Sequence, residues 1–155
     1  MTDGIRIVGL SELSAPTVRT RLLDAHDRFW DTDTRELHHP VWFHQFGGFG
    51  AVAMSPEGDA LGYVLGAVTA DRLAYLHLLA VRDDRRRSGL GGRLCGWFDQ
   101  LAVSTGARAV QAVTHPEDAP ALALHGALGA TAHLSRDHAG PGADRIVLTR
   151  GLPHG

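Results

Sequence analysis

Apolar positions mark several strands in the first half of this chain. Ile5 to Leu10 alternates with Ile5, Ile7 and Leu10 inward and predicts a short strand. Phe49 to Met54 and Ala60 to Thr69 read as two strands joined by the turn residues Ser55-Pro56-Glu57-Gly58-Asp59, so they predict a hairpin. Leu73 to Val81 is a further, strongly apolar strand. Helical spacing appears elsewhere. Ser11 or Ser14 can cap a helix with Pro16 in its first turn, after which Val18, Leu22, Leu23, His26, Phe29 and Trp30 recur on one face. Leu90, Leu94, Trp97, Phe98 and Leu101 form a second stripe that Gly106 stops. Asp118 caps a third helix running to Leu128, closed by Gly129. Ala107 to Thr114, Ala130 to Leu134 and Arg145 to Leu148 read as strands, with a Gly- and Pro-rich connection over 135–144. Asp31 to Pro40 is polar without a clear period, with an extra helical turn expected near Asp31 to His39.

The predicted order is β-α-β-β-β-α-β-α-β-β. It describes an α/β fold with a mixed sheet of about six to seven strands flanked by helices. With 155 residues and no internal repeat or linker, residues 1–155 are expected to form one domain.

Composition narrows the function classes. The formal net charge is −2, which gives no bulk attraction to nucleic acid or to an acidic membrane. The single cysteine, Cys95, excludes an internal disulfide and a cysteine-based zinc site. No apolar run reaches the roughly 18 residues of a membrane span, and Met1 to Leu10 lacks the pattern of a secretory signal. The expected location is the cytoplasm. All 15 basic Lys/Arg positions are arginine, so no lysine is available for a Schiff base.

The densest chemistry lies at Arg86-Arg87-Ser88-Gly89-Leu90-Gly91-Gly92, between the strand ending at Val81 and the helix starting near Leu90. A strand, a glycine-rich loop and a helix start aim free N–H groups and a helix dipole at one point, an arrangement suited to phosphate. A Walker loop would require a lysine, and a Rossmann fingerprint would require Gly-x-Gly-x-x-Gly on the first strand. Neither pattern is present.

Arg86-x-x-Gly89-x-Gly91, preceded by Leu79-Ala80-Val81, resembles the acyl-CoA-binding segment of the GNAT N-acetyltransferases. Ala121 to Gly129 is similar to the family's late helix, and the element order agrees along nearly the whole chain. The resemblance implies acetyl-CoA as acyl donor and direct attack by an amine on its thioester. It implies that Leu79, Ala80 and Val81 pair with the pantetheine arm. The N–H groups of Arg87, Ser88, Gly89, Leu90, Gly91 and Gly92 would hold the pyrophosphate. Arg86 would support the loop or meet a phosphate. Asp118 stands where the family usually has Asn; an ionised Asp caps a helix but donates no hydrogen bond.

Alternation places Tyr75, His77 and Leu79 on one face of their strand. His77 matches the second histidine of serotonin N-acetyltransferase-like members, and Tyr75 replaces the first. His77 is the expected general base, directly or through a water, with a histidine bonded within the sheet as the alternative. His125 occupies the place of the family's tyrosine acid; either it protonates the leaving thiolate or another group does. Trp30, Trp42 and Phe43 are candidate walls for an amine, and Trp42 and Phe43 alternatively cover the core. The spacing of His38, His39 and His44 lacks a metal-binding frame, so no metal is expected. The expected acceptor is a small-molecule amine. A catalytically silent acyl-CoA-binding module, or an enzyme acting on a protein amine, are the alternatives, and a homodimer remains open.

Overall fold

The computed structural model describes residues 3–153. Seven strands form one sheet: β1 (Arg6–Gly9), β2 (Ala51–Met54), β3 (Ala60–Val68), β4 (Leu73–Val81), β5 (Ala109–Thr114), β6 (Thr131–Ser135) and β7 (Arg145–Gly151). Their order across the sheet is β1-β2-β3-β4-β5-β7-β6. Every neighbouring pair is antiparallel except β4 and β5. The helices are α1 (Ala15–Asp24), α2 (His26–Phe29), α3 (Pro40–Phe43), α4 (Leu90–Ser104) and α5 (Ala119–Ala127).

Each face of the sheet carries its own core. Leu90, Leu94, Phe98 and Ala102 of α4 pack on Val64, Ala74, Leu76 and Val110. On the opposite face Leu22 of α1, Phe29 of α2 and Phe43 of α3 pack on Val52, Tyr63, Leu65, Leu78 and Ala80. A sheet covered on both sides explains why β3 is an almost continuous buried run rather than an alternating one.

The first helix departs from the expected single run to Trp30. It ends at Asp24, and a separate turn, His26–Phe29, follows Ala25. The break lets both His26 and Phe29 enter the interior, where they are 2% and 4% exposed. The turn expected between Asp31 and His39 is a 3₁₀ turn at Arg35–Leu37. The next segment adds a helix that the pattern did not predict, α3, with Pro40 at its start and His39 Nδ1 accepting from the Val41 N–H. Strand β2 starts at Ala51 because Gly47–Phe49 forms another 3₁₀ turn.

Two irregularities of β4 shape the site. Its register against β3 runs Leu65↔Leu78 and then Gly66↔Leu76, which leaves His77 as the extra residue of a β-bulge. Its parallel pairing with β5 covers only Leu73↔Ala109 to Leu76↔Ala112. Beyond that point β4 stays with β3 and β5 with β7, so the two strands diverge into a wedge.

Candidate active site

The bulge changes which residues of β4 share a face. Before it, Ala74 and Leu76 face α4; after it, Leu78 and Ala80 belong to the opposite core, and Leu79 and Val81 pack on the α4 side. Tyr75 and His77 therefore share a face, but Leu79 does not join them as simple alternation predicted. One extra residue inverts the phase of everything that follows it.

His77 sits at the mouth of the wedge. Its ring stacks on Trp42 of α3, with centroids 3.9 Å apart and planes 10° from parallel. Tyr75 lies beside both, 5.8 Å from His77 and 6.0 Å from Trp42, and Phe46 packs on Trp42 at 5.4 Å. Nε2 of His77 donates to the Leu37 carbonyl at 2.7 Å. A carbonyl only accepts, so Nε2 carries the proton and Nδ1 holds the lone pair. That Nδ1 is buried and has no hydrogen-bond partner among the described residues. Burial pushes the imidazole below its ordinary pKa, opposed by the bond to Leu37. The ring is thus held as a neutral base. The alternative of a histidine bonded within the sheet does not hold, because Nε2 bonds the Leu37 carbonyl of the turn Arg35–Leu37 and Nδ1 bonds no described residue.

The wedge leads to the start of α4. Gly89 is the N-cap residue, with φ 82°, and Arg87 also has a positive φ of 62°. The first main-chain bond of the helix runs from Arg93 N–H to Gly89 O, so the N–H groups of Leu90, Gly91 and Gly92 have no helical acceptor. A Cβ at Gly89 or Gly92 would meet no atom within 4 Å, and one at Gly91 would lie 3.8 Å from Val81 and 4.0 Å from Leu124. Free donors, a positive helix end and open space above the glycines fit a diphosphate. The β4 edge from His77 to Val81, lacking a strand partner on the β5 side, fits an extended chain carrying amides.

Arg86 supports the loop. It reaches back to the Phe29 carbonyl (Nη2, 3.1 Å) and the Val81 carbonyl (Nε, 3.4 Å), so its guanidinium ties the loop to α2 and β4. Ser88 bonds the Arg85 carbonyl through its hydroxyl. Asp118 caps α5 by accepting from the Ala121 N–H at 3.2 Å, and its other oxygen accepts from Thr114 Oγ1 at 3.2 Å.

The remaining candidates separate. Trp42 stands in the site. Phe43 is 1% exposed inside the core, as the core-covering alternative required. Trp30 donates from Nε1 to Tyr63 Oη at 2.6 Å and braces the interior. His125 is the buried residue of α5, and burial followed by the Arg150 charge holds its pKa below the ordinary value. Tyr75 has its pKa raised by burial, so its phenol keeps its proton. Sequence reasoning missed Phe46 and Leu37. Phe46 lies in the turn after α3, so no helical spacing links it to Trp42 in the sequence. Leu37 acts through its backbone carbonyl, which leaves no mark in the sequence. Cys95 is buried and its thiol is pushed up to about 11 by desolvation, so it is no nucleophile. Among the described residues no group of three or more metal-ligating side chains is found.

No curated protein sequence matches the chain. Among solved structures, Ard1 from Thermoplasma volcanium is similar with a TM-score of 0.77 at 16% identity, over 97% of this chain and 99% of that one. Aminoglycoside 6'-acetyltransferase type Ii has a TM-score of 0.75 at 16% identity, over 97% and 99%. The ribosomal-protein-S18-alanine N-acetyltransferase from Escherichia coli has a TM-score of 0.72 at 18% identity, over 97% and 96%. At these identities the likeness concerns the fold. Residues 16–130, by contrast, match the sequence profile of a family, and on that match the chain belongs to the acetyltransferase (GNAT) family.

Proposed function

We propose that this protein transfers the acetyl group of acetyl-CoA to the amine of a small molecule by direct attack on the thioester. The observation that carries this reading is the conjunction of three features at the open β4–β5 wedge. They are the glycine-capped start of α4, the unpaired edge of β4 and the orphaned Nδ1 of His77. The donor's diphosphate would sit on the N–H groups of Leu90, Gly91 and Gly92, and its pantetheine arm would lie along Leu78 to Val81. That placement brings the thioester to the bulge at His77.

The chemistry required there is modest. The amine nitrogen forms a bond to the acyl carbon and the carbon–sulfur bond breaks. The nitrogen gives up a proton, which Nδ1 of His77 accepts, directly or through one water. Because Nε2 already bonds Leu37, only Nδ1 can do this. The departing thiolate takes a proton from a neutral donor. Tyr75, whose phenol stays protonated, and His125, as a neutral imidazole N–H, are the two side chains with that capacity. Trp42 and Phe46 form an aromatic wall beside His77 suited to an alkyl or aromatic amine.

The test is release of CoA thiol from acetyl-CoA with a panel of small amines, set beside peptides with free N-termini. Turnover on a small amine supports the reading. Turnover on the peptides alone assigns a protein amine as acceptor. Tight acetyl-CoA binding without turnover on any amine assigns a silent binding module.

A further inference from the structure

The buried polar groups on the α1 side of the sheet converge on one turn. Trp30 Nε1 donates to Tyr63 Oη at 2.6 Å, and Tyr63 Oη lies 2.7 Å from His38 Nε2. His38 Nδ1 lies 2.8 Å from the Thr34 carbonyl. A carbonyl only accepts, so His38 carries its proton on Nδ1 and its Nε2 accepts the Tyr63 hydroxyl proton. Every donor in this relay has one acceptor, and its direction is fixed from Trp30 to Thr34. Both His38 (0% exposed) and Tyr63 (1% exposed) are sealed from solvent.

Two further bonds hold the same turn. The Thr34 N–H donates to Nε2 of His26 at 3.1 Å, and the Thr34 hydroxyl lies 2.9 Å from the same nitrogen. Arg19 Nε donates to the His38 carbonyl at 2.7 Å. The turn so held is Arg35–Leu37, and the carbonyl of Leu37 is the acceptor for Nε2 of His77. Apolar packing fixes it only in part, because the Leu37 side chain is 40% exposed. Polar bonds at Thr34 and His38, one on each side of the turn, supply the remaining restraint.

We propose that the Trp30–Tyr63–His38–Thr34 relay is a positioning device that holds the Leu37 carbonyl against His77 and so fixes the tautomer and ring orientation of the base. The proposal rests on the reading of His77 as the base. Tyr63 and His38 touch no reacting atom; they act through a backbone carbonyl, as an orienting partner acts on the far nitrogen of a catalytic or metal-bound histidine. Without the carbonyl the Nε2 proton has no fixed acceptor, the ring samples both tautomers, and Nδ1 is not always the lone-pair nitrogen.

The test uses the full chain with ¹⁵N-labelled histidine. The ring nitrogen shifts of His77, assigned by their loss in His77→Ala, are compared in wild type, Tyr63→Phe and Arg19→Met. Acetyl-CoA binding and turnover are measured on the same samples. Wild type is expected to show one tautomer, protonated on Nε2. Tyr63→Phe is expected to give averaged shifts and to lower kcat by about tenfold, the lower end of what loss of a histidine's orienting partner costs. Its acetyl-CoA Kd should stay unchanged. Arg19→Met, which removes an outer bond without opening the core, should shift the resonances in the same direction by less. Unchanged His77 shifts in both variants would overturn the proposal. Averaged shifts with unchanged kcat would uphold the positioning and remove His77 from the chemistry, which separates the two readings.

Discussion

His77 combines three properties that a general base needs, and each comes from a different neighbour. Leu37 takes the Nε2 proton and leaves Nδ1 as the lone pair. Trp42 covers one face of the ring and excludes water from it. Burial lowers the pKa below the ordinary 6.5. Protonation switches such a base off, so activity falls as pH drops through the folded pKa. The acid limb of kcat/KM is therefore predicted to have its midpoint below 6.5, and a pH–rate profile on a small amine checks this. The position of His77 on this strand was legible in the sequence from Leu73 to Val81. Its facing was not. Exposure along β4 still alternates without a break, because Ala74 and Leu76 are buried on one face and Leu78 and Ala80 on the other. A sheet with two covered faces hides a bulge from any pattern of apolar residues.

Among the elements, α4 joins the proposed donor site to the core. Its N-terminus was legible because a glycine at a left-handed cap and free first-turn donors follow from local sequence alone. A Gly89→Val substitution forces a branched residue to φ 82° and projects it into the open space above the helix. The strain costs about 1–2 kcal/mol, and acetyl-CoA binding should weaken by at least about tenfold. Isothermal titration beside a thermal melt separates the two effects. Toward its far end α4 is fastened by Asp99, whose two oxygens each lie 2.7 Å from Arg150 of β7. The Arg150 side chain is 8% exposed, so Asp99→Ala strands a buried cation. Such a change is predicted to destabilise the fold by about 3–5 kcal/mol, measured by denaturant unfolding. The short helices α2 and α3 were the least legible elements. Each is four residues long, too short to show a period, and their placement depends on tertiary bonds made by His26, His38 and Arg86.

At the scale of the whole molecule, three histidines among the described residues carry depressed pKa values: His38, His77 and His125, each chiefly through burial. All three are neutral in the folded state at a pH where the unfolded chain already binds their protons. The unfolded state then holds more protons, so stability rises with pH and is lost as pH falls from the unfolded value of about 6.5 toward the lower folded values. Melting temperature is predicted to drop between about pH 7 and pH 5.5, and a His38→Gln variant should show a shallower drop. The overall architecture was legible because strand and helix periods, glycine stops and turn residues agreed with one another along the chain. The wedge was not, since it depends on where two strands distant in sequence stop pairing. The acceptor's identity was not legible either, because fold carries no chemical instruction at that level.

The central claim of the proposed function is that the α4 start and the unpaired β4 edge bind the donor while His77 performs the proton transfer. It is tested most directly by measuring kcat and the acetyl-CoA Kd of His77→Ala against wild type with one accepted amine. The prediction is a loss of about 10²–10⁴-fold in kcat with the Kd unchanged. A kcat equal to that of wild type would contradict it.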